Sequence, residues 1–197
     1  VLALATHYGN FEWMSCATDM HTKNKGYAIY SPLKNPYFEA LAVKTRERWG
    51  GELLPARAAI RNSLSKLDEP CIIGFICDQT PSRREGLYFS KFLGLTTAVH
   101  DRFAHLALQK AAQVYFIEVR KEKRGYYNLT LVPMPMEQFL PYSQENAHRF
   151  TDYHIELLEK LILAQPEFWL WTHKRWKHQP QEGDLFSEKL TVVDGAA

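Results

Sequence analysis

CIIGFICD (71–78) decides how this chain folds. It is apolar throughout until its closing acid, which reads as a strand covered on both faces, and such strands belong to parallel sheets. Working back from it, a weaker helix covers about 56–68. Before that, Asn35-Pro36 opens a helix with Asn as cap and Pro at the first helical position. That helix repeats Phe38, Leu41, Ala42, Thr45 and Trp49 on one face until Gly50-Gly51 ends it. YAIYS (27–31) alternates like a strand. VLALAT (1–6) is a second buried-strand run that leads through HYGN into a helix from about Phe11 to Met20.

Working forward, DQTPSRREGLYFSKFLG (78–94) has Pro, two Gly and no clean period, so it is expected to be a long functional loop. A helix over about Val99–Ala112 follows, then VYFIEVRK and YYNLTLV form a hairpin around Gly125. Residues 143–164 form a long helix, and PEFWLWTHKRWKHQP precedes a polar, loose tail. One domain over 1–178 with a polar tail at 179–197 is expected. Strands and helices alternate through the first two thirds. The fold class is therefore α/β, a mixed, largely parallel central sheet flanked by helices on both faces. In such sheets, sites gather beyond the carboxyl ends of the strands. His7 follows one such end, and Asp78 closes another.

With 197 residues, 46% hydrophobic and 23% charged, the chain is long enough for a sizeable core and has an ordinary globular composition. A net charge of +2 is too mild for a nucleic-acid protein. Cys71 and Cys77 are six residues apart in a strand, about 20 Å and beyond disulfide reach, so they and Cys16 read as reduced. No apolar run approaches the roughly 18–20 residues that span a bilayer, and no signal peptide is visible. The chain starts in VLALA without Met, which reads as a piece cut from something longer that can carry an N-terminal anchor.

His-x4-Glu occurs twice, at His7/Glu12 and His154/Glu159. The second pair lies inside a helix, where five residues turn through about 500° and leave the side chains about 140° apart. It reads as a solvated or half-buried coincidence. The first pair sits where a strand end, a Gly-Asn turn and a helix start can fold His7 back toward Glu12. A hydrogen bond to Glu12 would fix the imidazole tautomer and raise the basicity of the other nitrogen, as a general base requires. The bland alternative is a histidine that caps the turn.

Arg46 lies about 80° from Phe38 around its helix and can reach a site or snorkel to water; Arg48, on the opposite edge, has the same choice. The acid of Asp78-Gln79 ends a buried strand, where a carboxylate is expensive unless paired, so it is expected to cap or to partner an arginine. PEFWLWTHKRWKH mixes three tryptophans with cations, which suits either a lipid interface or the packing of a terminal segment onto the core. The histidine spacings miss a helical zinc pair, and no Cys-x2-Cys, Gly-x-Ser-x-Gly elbow or Walker-type loop is present. Direct transfer assisted by a base is the simpler chemistry, with neither metal nor cofactor expected.

HYGNFE (7–12), NPYFEALAVKTRERWG (35–50), DQTPSRREG with FLG (78–86 and 92–94) and PEFWLWTHKRWK (166–177) occur in this order across nearly the whole chain. Together they resemble the late acyltransferases of lipid A biosynthesis, within the lysophospholipid acyltransferase superfamily. The resemblance implies a glycerolphosphate-acyltransferase-like fold. It also implies transfer of a fatty acyl group from an acyl carrier protein or coenzyme A thioester to a hydroxyl of a membrane glycolipid such as a lipid A precursor. On that pattern His7 removes the hydroxyl proton and Glu12 orients the imidazole. Arg46, with Arg48 competing for the role, holds the acceptor or the catalytic loop. Asp78 is the acid of the second block, and Asn10 and Gln79 complete the binding set.

The family usually carries an N-terminal anchor, which implies the cytoplasmic face of the bacterial inner membrane and contact with its surface. The apolar helix 11–20 and the aromatic stretch 87–94 are expected to line an acyl groove. Two other readings stay open on the residues: a membrane-surface lipid-binding module without turnover, and a thioester hydrolase.

Overall fold

A computed structural model describes residues 1–82 and 86–191; Arg83–Glu85 of the DQTPSRREG stretch and residues 192–197 lie outside the described residues. In chain order the elements are β1 (Leu2–Ala5), α1 (Glu12–His21), β2 (Lys25–Tyr30), α2 (Pro36–Arg46), β3 (Glu52–Pro55), α3 (Ala59–Lys66) and β4 (Cys71–Ile76). They continue as β5 (Tyr88–Phe92), β6 (Leu95–Val99), α4 (Arg102–Gln109), β7 (Val114–Lys123), β8 (Tyr126–Pro133), α5 (Gln144–Ala164), β9 (Leu185–Phe186) and α6 (Glu188–Thr191).

The main sheet runs β3-β2-β4-β1-β7-β8, and a small sheet runs β6-β5-β9. In the main sheet every neighbouring pair is parallel except the β7–β8 hairpin, as expected of the α/β class. β1 and β4 occupy its middle because they are the two runs apolar enough to lie under cover, and Leu2, Leu4 and Ile73 are fully buried. α4 and α5 cover the core with Phe103, Leu106, Phe150, Ile155, Leu158 and Ile162. Each places its apolar residues at helical spacing.

β4 is less uniform than its sequence suggests. Cys71, Ile73 and Phe75 are buried, whereas Ile72, Gly74 and Ile76 are half-buried and line a cavity. The residues on either side of them in the sheet are small: Ala3 and Ala5 on β1, Ala28 on β2. Small side chains in the middle of a sheet leave room above it, and here the room amounts to about 600 Å³.

The 78–94 stretch does not stay irregular. β5 and β6 form a hairpin within and beyond it, and Tyr88, Phe89 and Phe92 turn into the core instead of lining a groove. The tail expected to be loose is partly held: β9 pairs in parallel with β5. The buried Asp152 of α5 accepts hydrogen bonds from Tyr88, Ser90 and Ser187, which ties helix, hairpin and tail together. The helix expected over 99–112 begins only at Arg102, because Val99 closes β6.

α2 has the expected start, with the Asn35 side chain accepting from the amides of Tyr37 and Phe38. Its apolar stripe, however, is not packed, and none of its residues is buried. The three cysteines are free, with Cys71 and Cys77 buried. Among the described residues, no helix is long and apolar enough to cross a membrane.

Candidate active site

The register of the two central strands builds the site. β1 and β4 run parallel with Ala5 opposite Ile76, so two residues further on, past both strand ends, His7 stands beside Asp78. His7 Nδ1 lies 2.7 Å from Oδ1 of Asp78. The second oxygen of that carboxylate accepts the indole N–H of Trp169 at 2.8 Å, and Asp78 is 1% exposed. Burial alone raises the Asp78 carboxyl, but the hydrogen bond and charge of His7, with the indole N–H, outweigh it and leave it below the ordinary carboxylate range. A carboxylate on Nδ1 fixes that nitrogen as the donor and leaves Nε2 with its lone pair.

The histidine is held from other sides too. The segment after α5 bonds to the turn around it: Gly9 N donates to Phe168 O at 2.9 Å and Leu170 N to His7 O at 3.0 Å. Gly9 adopts a φ of +58°, where a side chain would be strained and would meet Val119 at 3.2 Å, so the turn requires glycine. Phe11 sets its ring edge-on to the imidazole, with centroids 4.8 Å apart.

The structure corrects the expected His7–Glu12 contact. Glu12 opens α1, and its carboxylate is taken by Arg46: Nη2 donates to Oε1 at 2.7 Å and Nε to Oε2 at 3.0 Å. This two-point hydrogen bond holds the Arg46 guanidinium above its ordinary pKa. Asp78 therefore stands where Glu12 was expected, because neighbouring strand ends superpose side chains more rigidly than a turn and a helix start. Asp78 partners a histidine and a tryptophan rather than an arginine.

His7, Glu12, Arg46 and Gln79 all line the 600 Å³ cavity above Ala3, Ala5, Ala28 and Gly74. Three expected binding residues do not: Asp78 stands behind His7 as its buried partner, and Arg48 and Asn10 lie elsewhere. Arg48 is exposed, its guanidinium 5.2 Å from the centroid of the Trp49 ring, and Asn10 sits in the turn before α1 with its carbonyl accepting from Trp13 N. α1 does line the cavity, through Met14, Ser15 and Thr18.

The C-terminal tryptophan block packs partly inward, with Trp171 left 50% exposed. Trp169 is 5% exposed, Trp176 donates to Thr97, and Arg175 is 2% exposed with Nη1 donating to Ala98 O. The same block locks the loop after Asp78. Thr80 N donates to His173 Nε2 at 3.1 Å, and Thr80 Oγ1 donates to Arg175 O at 2.6 Å. Trp169, His173 and His100, which also lines the cavity, are members of the site that residue spacing did not single out. The sequence trace of Trp169 and His173 was the aromatic richness of 166–178, and nothing comparable marked His100. Burial, with the Arg175 charge, pushes His100 down to about 4.

The second His-x4-Glu pair, His154/Glu159, is not the solvated or half-buried coincidence expected of it. His154 is fully buried, between Phe103 and Phe116, and burial pushes it down to about 4. Glu159 accepts instead from Leu93 N at 2.6 Å, so the pair does not meet. As for metals, the fold gathers Asp101, His105 and His148 with ligand atoms within 4.8 Å of one another, a set no spacing rule had suggested.

An α/β fold with a carboxylate-held imidazole at adjoining strand ends, opening on an apolar-floored cavity, has the geometry that acid–base chemistry on a partly apolar molecule requires. Over residues 1–178 the sequence matches the family described as bacterial lipid A biosynthesis acyltransferase, and the chain belongs to that family. Among curated relatives it is similar to the lipid A biosynthesis palmitoleoyltransferase of Escherichia coli (strain K12), 26% identical over 155 residues, 78% of this chain and 48% of that protein. It is similar as well to the lipid A biosynthesis acyltransferase of Shigella flexneri, at the same identity and coverage, 26%, 78% and 48%. A third relative, the lipid A biosynthesis lauroyltransferase of Escherichia coli (strain K12), is 24% identical over 157 residues, 79% of this chain and 50% of that protein. The chain spans about half the length of the curated relatives it matches.

Proposed function

We propose that this protein transfers a fatty acyl group from an acyl carrier protein or coenzyme A thioester to a hydroxyl of a membrane glycolipid such as a lipid A precursor. The observation that carries the reading is the His7–Asp78 pair, with Nε2 left as acceptor, at the edge of the cavity. Membership of the acyltransferase family supports the same chemistry.

In this reading His7 Nε2 takes the acceptor hydroxyl's proton as its oxygen attacks the thioester carbonyl. The C–S bond then breaks, an oxygen ester forms, and the proton passes from His7 to the departing thiolate. Asp78 stabilises the imidazolium between these steps. A thioester is already activated, so a positioned base worth roughly 10²–10⁴ in rate, with the remainder from positioning and charge stabilisation, accounts for the catalysis without a covalent intermediate. The small-residue floor suits the acyl chain. The Glu12–Arg46 pair braces α1 against α2 at the rim, and Gln79 lines the same cavity; bracing is the role we give Glu12 in place of orienting the imidazole. The donor carrier and acceptor lipid would meet at the cytoplasmic face of the bacterial inner membrane.

The test is incubation with an acyl thioester and a lipid acceptor, read by thiol release and by mass spectrometry of the lipid. The reading predicts thiol release that depends on acceptor, a lipid heavier by one acyl group, and loss of both in His7→Ala. Thiol release without acceptor would mark a hydrolase instead. Retention on vesicles without any thiol release would mark a lipid-binding module.

A further inference from the structure

Helices in small domains are held mainly by burying one face. α2 is an exception: across Pro36–Arg46 no residue is buried, and Tyr37, Phe38 and Leu41 are 85%, 64% and 60% exposed. Polar contacts at its ends and inner side hold it instead. Asn35 caps its start, and Glu39 accepts from Tyr30 and from Leu33 N. Arg46 ties its end to Glu12.

At about 100° per residue, Leu41 lies about 40° and Phe38 about 100° from Tyr37, whereas Arg46 lies about 180° from it. The inner side therefore carries Arg46 to the cavity, and the outer side presents a contiguous apolar arc.

The charges around that arc share one sign. Lys34, Lys44 and Arg48 are exposed about it. The two acids of the segment are engaged elsewhere, Glu39 as above and Glu47 on the amide of Leu53. An apolar arc bordered by cations complements a bilayer surface bearing anionic headgroups, where rings and aliphatic chains enter the acyl boundary and cations meet phosphates. The tryptophan-rich C-terminal block, the other basic-aromatic segment, offers less for this: Trp169 and Arg175 are buried, and its exposed apolar side chains are Leu170 and Trp171, at 36% and 50%. Leu33, just before α2, and Arg46, at its end, both line the cavity, so a surface laid against α2 lies beside the cavity's rim.

We propose that the outer face of α2, centred on Tyr37, Phe38 and Leu41, docks onto anionic lipid bilayers and sets the rim of the cavity against the membrane. That the docked membrane supplies the acyl acceptor rests on the acyltransferase reading; the docking itself does not.

The experiment is co-sedimentation of the 197-residue chain with vesicles of phosphatidylethanolamine and phosphatidylglycerol, and with vesicles of phosphatidylcholine alone. The chain should pellet with the anionic vesicles and hardly with the zwitterionic ones. The triple variant Tyr37→Ser/Phe38→Ser/Leu41→Ser should weaken partition about 100-fold, and Lys34→Glu/Lys44→Glu about 10-fold or more, with unchanged circular dichroism because every altered side chain is exposed. Wild-type-like pelleting of the triple variant overturns the proposal. So does a wild-type dimer in size-exclusion chromatography that the triple variant converts to monomer, which assigns the face to a second copy.

Acyl transfer separates the two readings. The triple variant should retain transfer to acceptor dispersed in detergent micelles and lose it about 10-fold or more to acceptor held in vesicles. A wild type that binds vesicles but transfers nothing in either format leaves the docking standing and removes the acyltransferase reading.

Discussion

The indole N–H of Trp169 donates to Oδ2 of Asp78 at 2.8 Å, on the far side of the carboxylate from His7. The two donors together keep a 1% exposed acid ionised. Trp169→Phe keeps most of the ring packing and removes only the N–H. The buried carboxylate then loses one of its donors, which should cost about 1–3 kcal/mol of stability by chemical denaturation and lower acyl transfer roughly 10-fold or more. Unchanged activity would mean that Asp78 needs only His7.

Glu12 and Arg46 meet through two hydrogen bonds at side chains 50% and 26% exposed, so solvent screens them. A double-mutant cycle with Glu12→Gln and Arg46→Lys should give a stability coupling of about 1 kcal/mol or less. If the pair braces the rim, each variant should nevertheless reduce acyl transfer by about 10-fold or more, because a lysine cannot reproduce the two-point contact. Equal losses in stability and activity would make the pair merely structural.

Gly74 lies between the small residues of the cavity floor. A methyl there would meet Tyr27 O at 3.6 Å, an ordinary contact, so Gly74→Ala should fold and turn over. Gly74→Leu should fill part of the cavity and discriminate against long acyl donors before short ones. A donor series with the same relative rates for both variants would place the acyl chain elsewhere.

His100 and His154 are both pushed by burial to about 4, so each is neutral in the folded protein near pH 6, where the unfolded chain already binds protons. The unfolded state thus gains protons first as pH falls from about 6.5 toward 4, and stability should drop with a slope of up to about 1.4 kcal/mol per pH unit per group. Denaturation midpoints between pH 7 and pH 5 will show this. His154→Phe, placed between Phe103 and Phe116, should remove one group's share of the slope.

How much of this could be read from the sequence follows from what each residue depends on. CIIGFICD and VLALAT announce central parallel strands because both faces must be covered, and Asn35-Pro36 announces a helix start because a cap is a local device. Glu52–Pro55 passed unread as β3, being four residues with one acid and one proline. β5 and β6 hid in a stretch whose period the tight turn at Leu93-Gly94, both at positive φ, interrupts. The partner of His7 was illegible for a deeper reason. His7 and Asp78 are 71 residues apart, and only the register of β1 against β4 brings them together, whereas the nearer Glu12 satisfied every local criterion. Helical spacing likewise grouped Phe38 with Leu41, but spacing tells which residues share a face and not what covers it.

The account rests on Asp78, rather than Glu12, fixing the His7 tautomer, and the imidazole nitrogens report this directly. Nitrogen-15 and proton NMR of histidine-labelled protein should show a downfield Nδ1–H resonance, assigned to His7 by its loss in His7→Ala. We predict that it persists in Glu12→Gln and vanishes in Asp78→Asn. Its loss in Glu12→Gln with survival in Asp78→Asn would contradict the account.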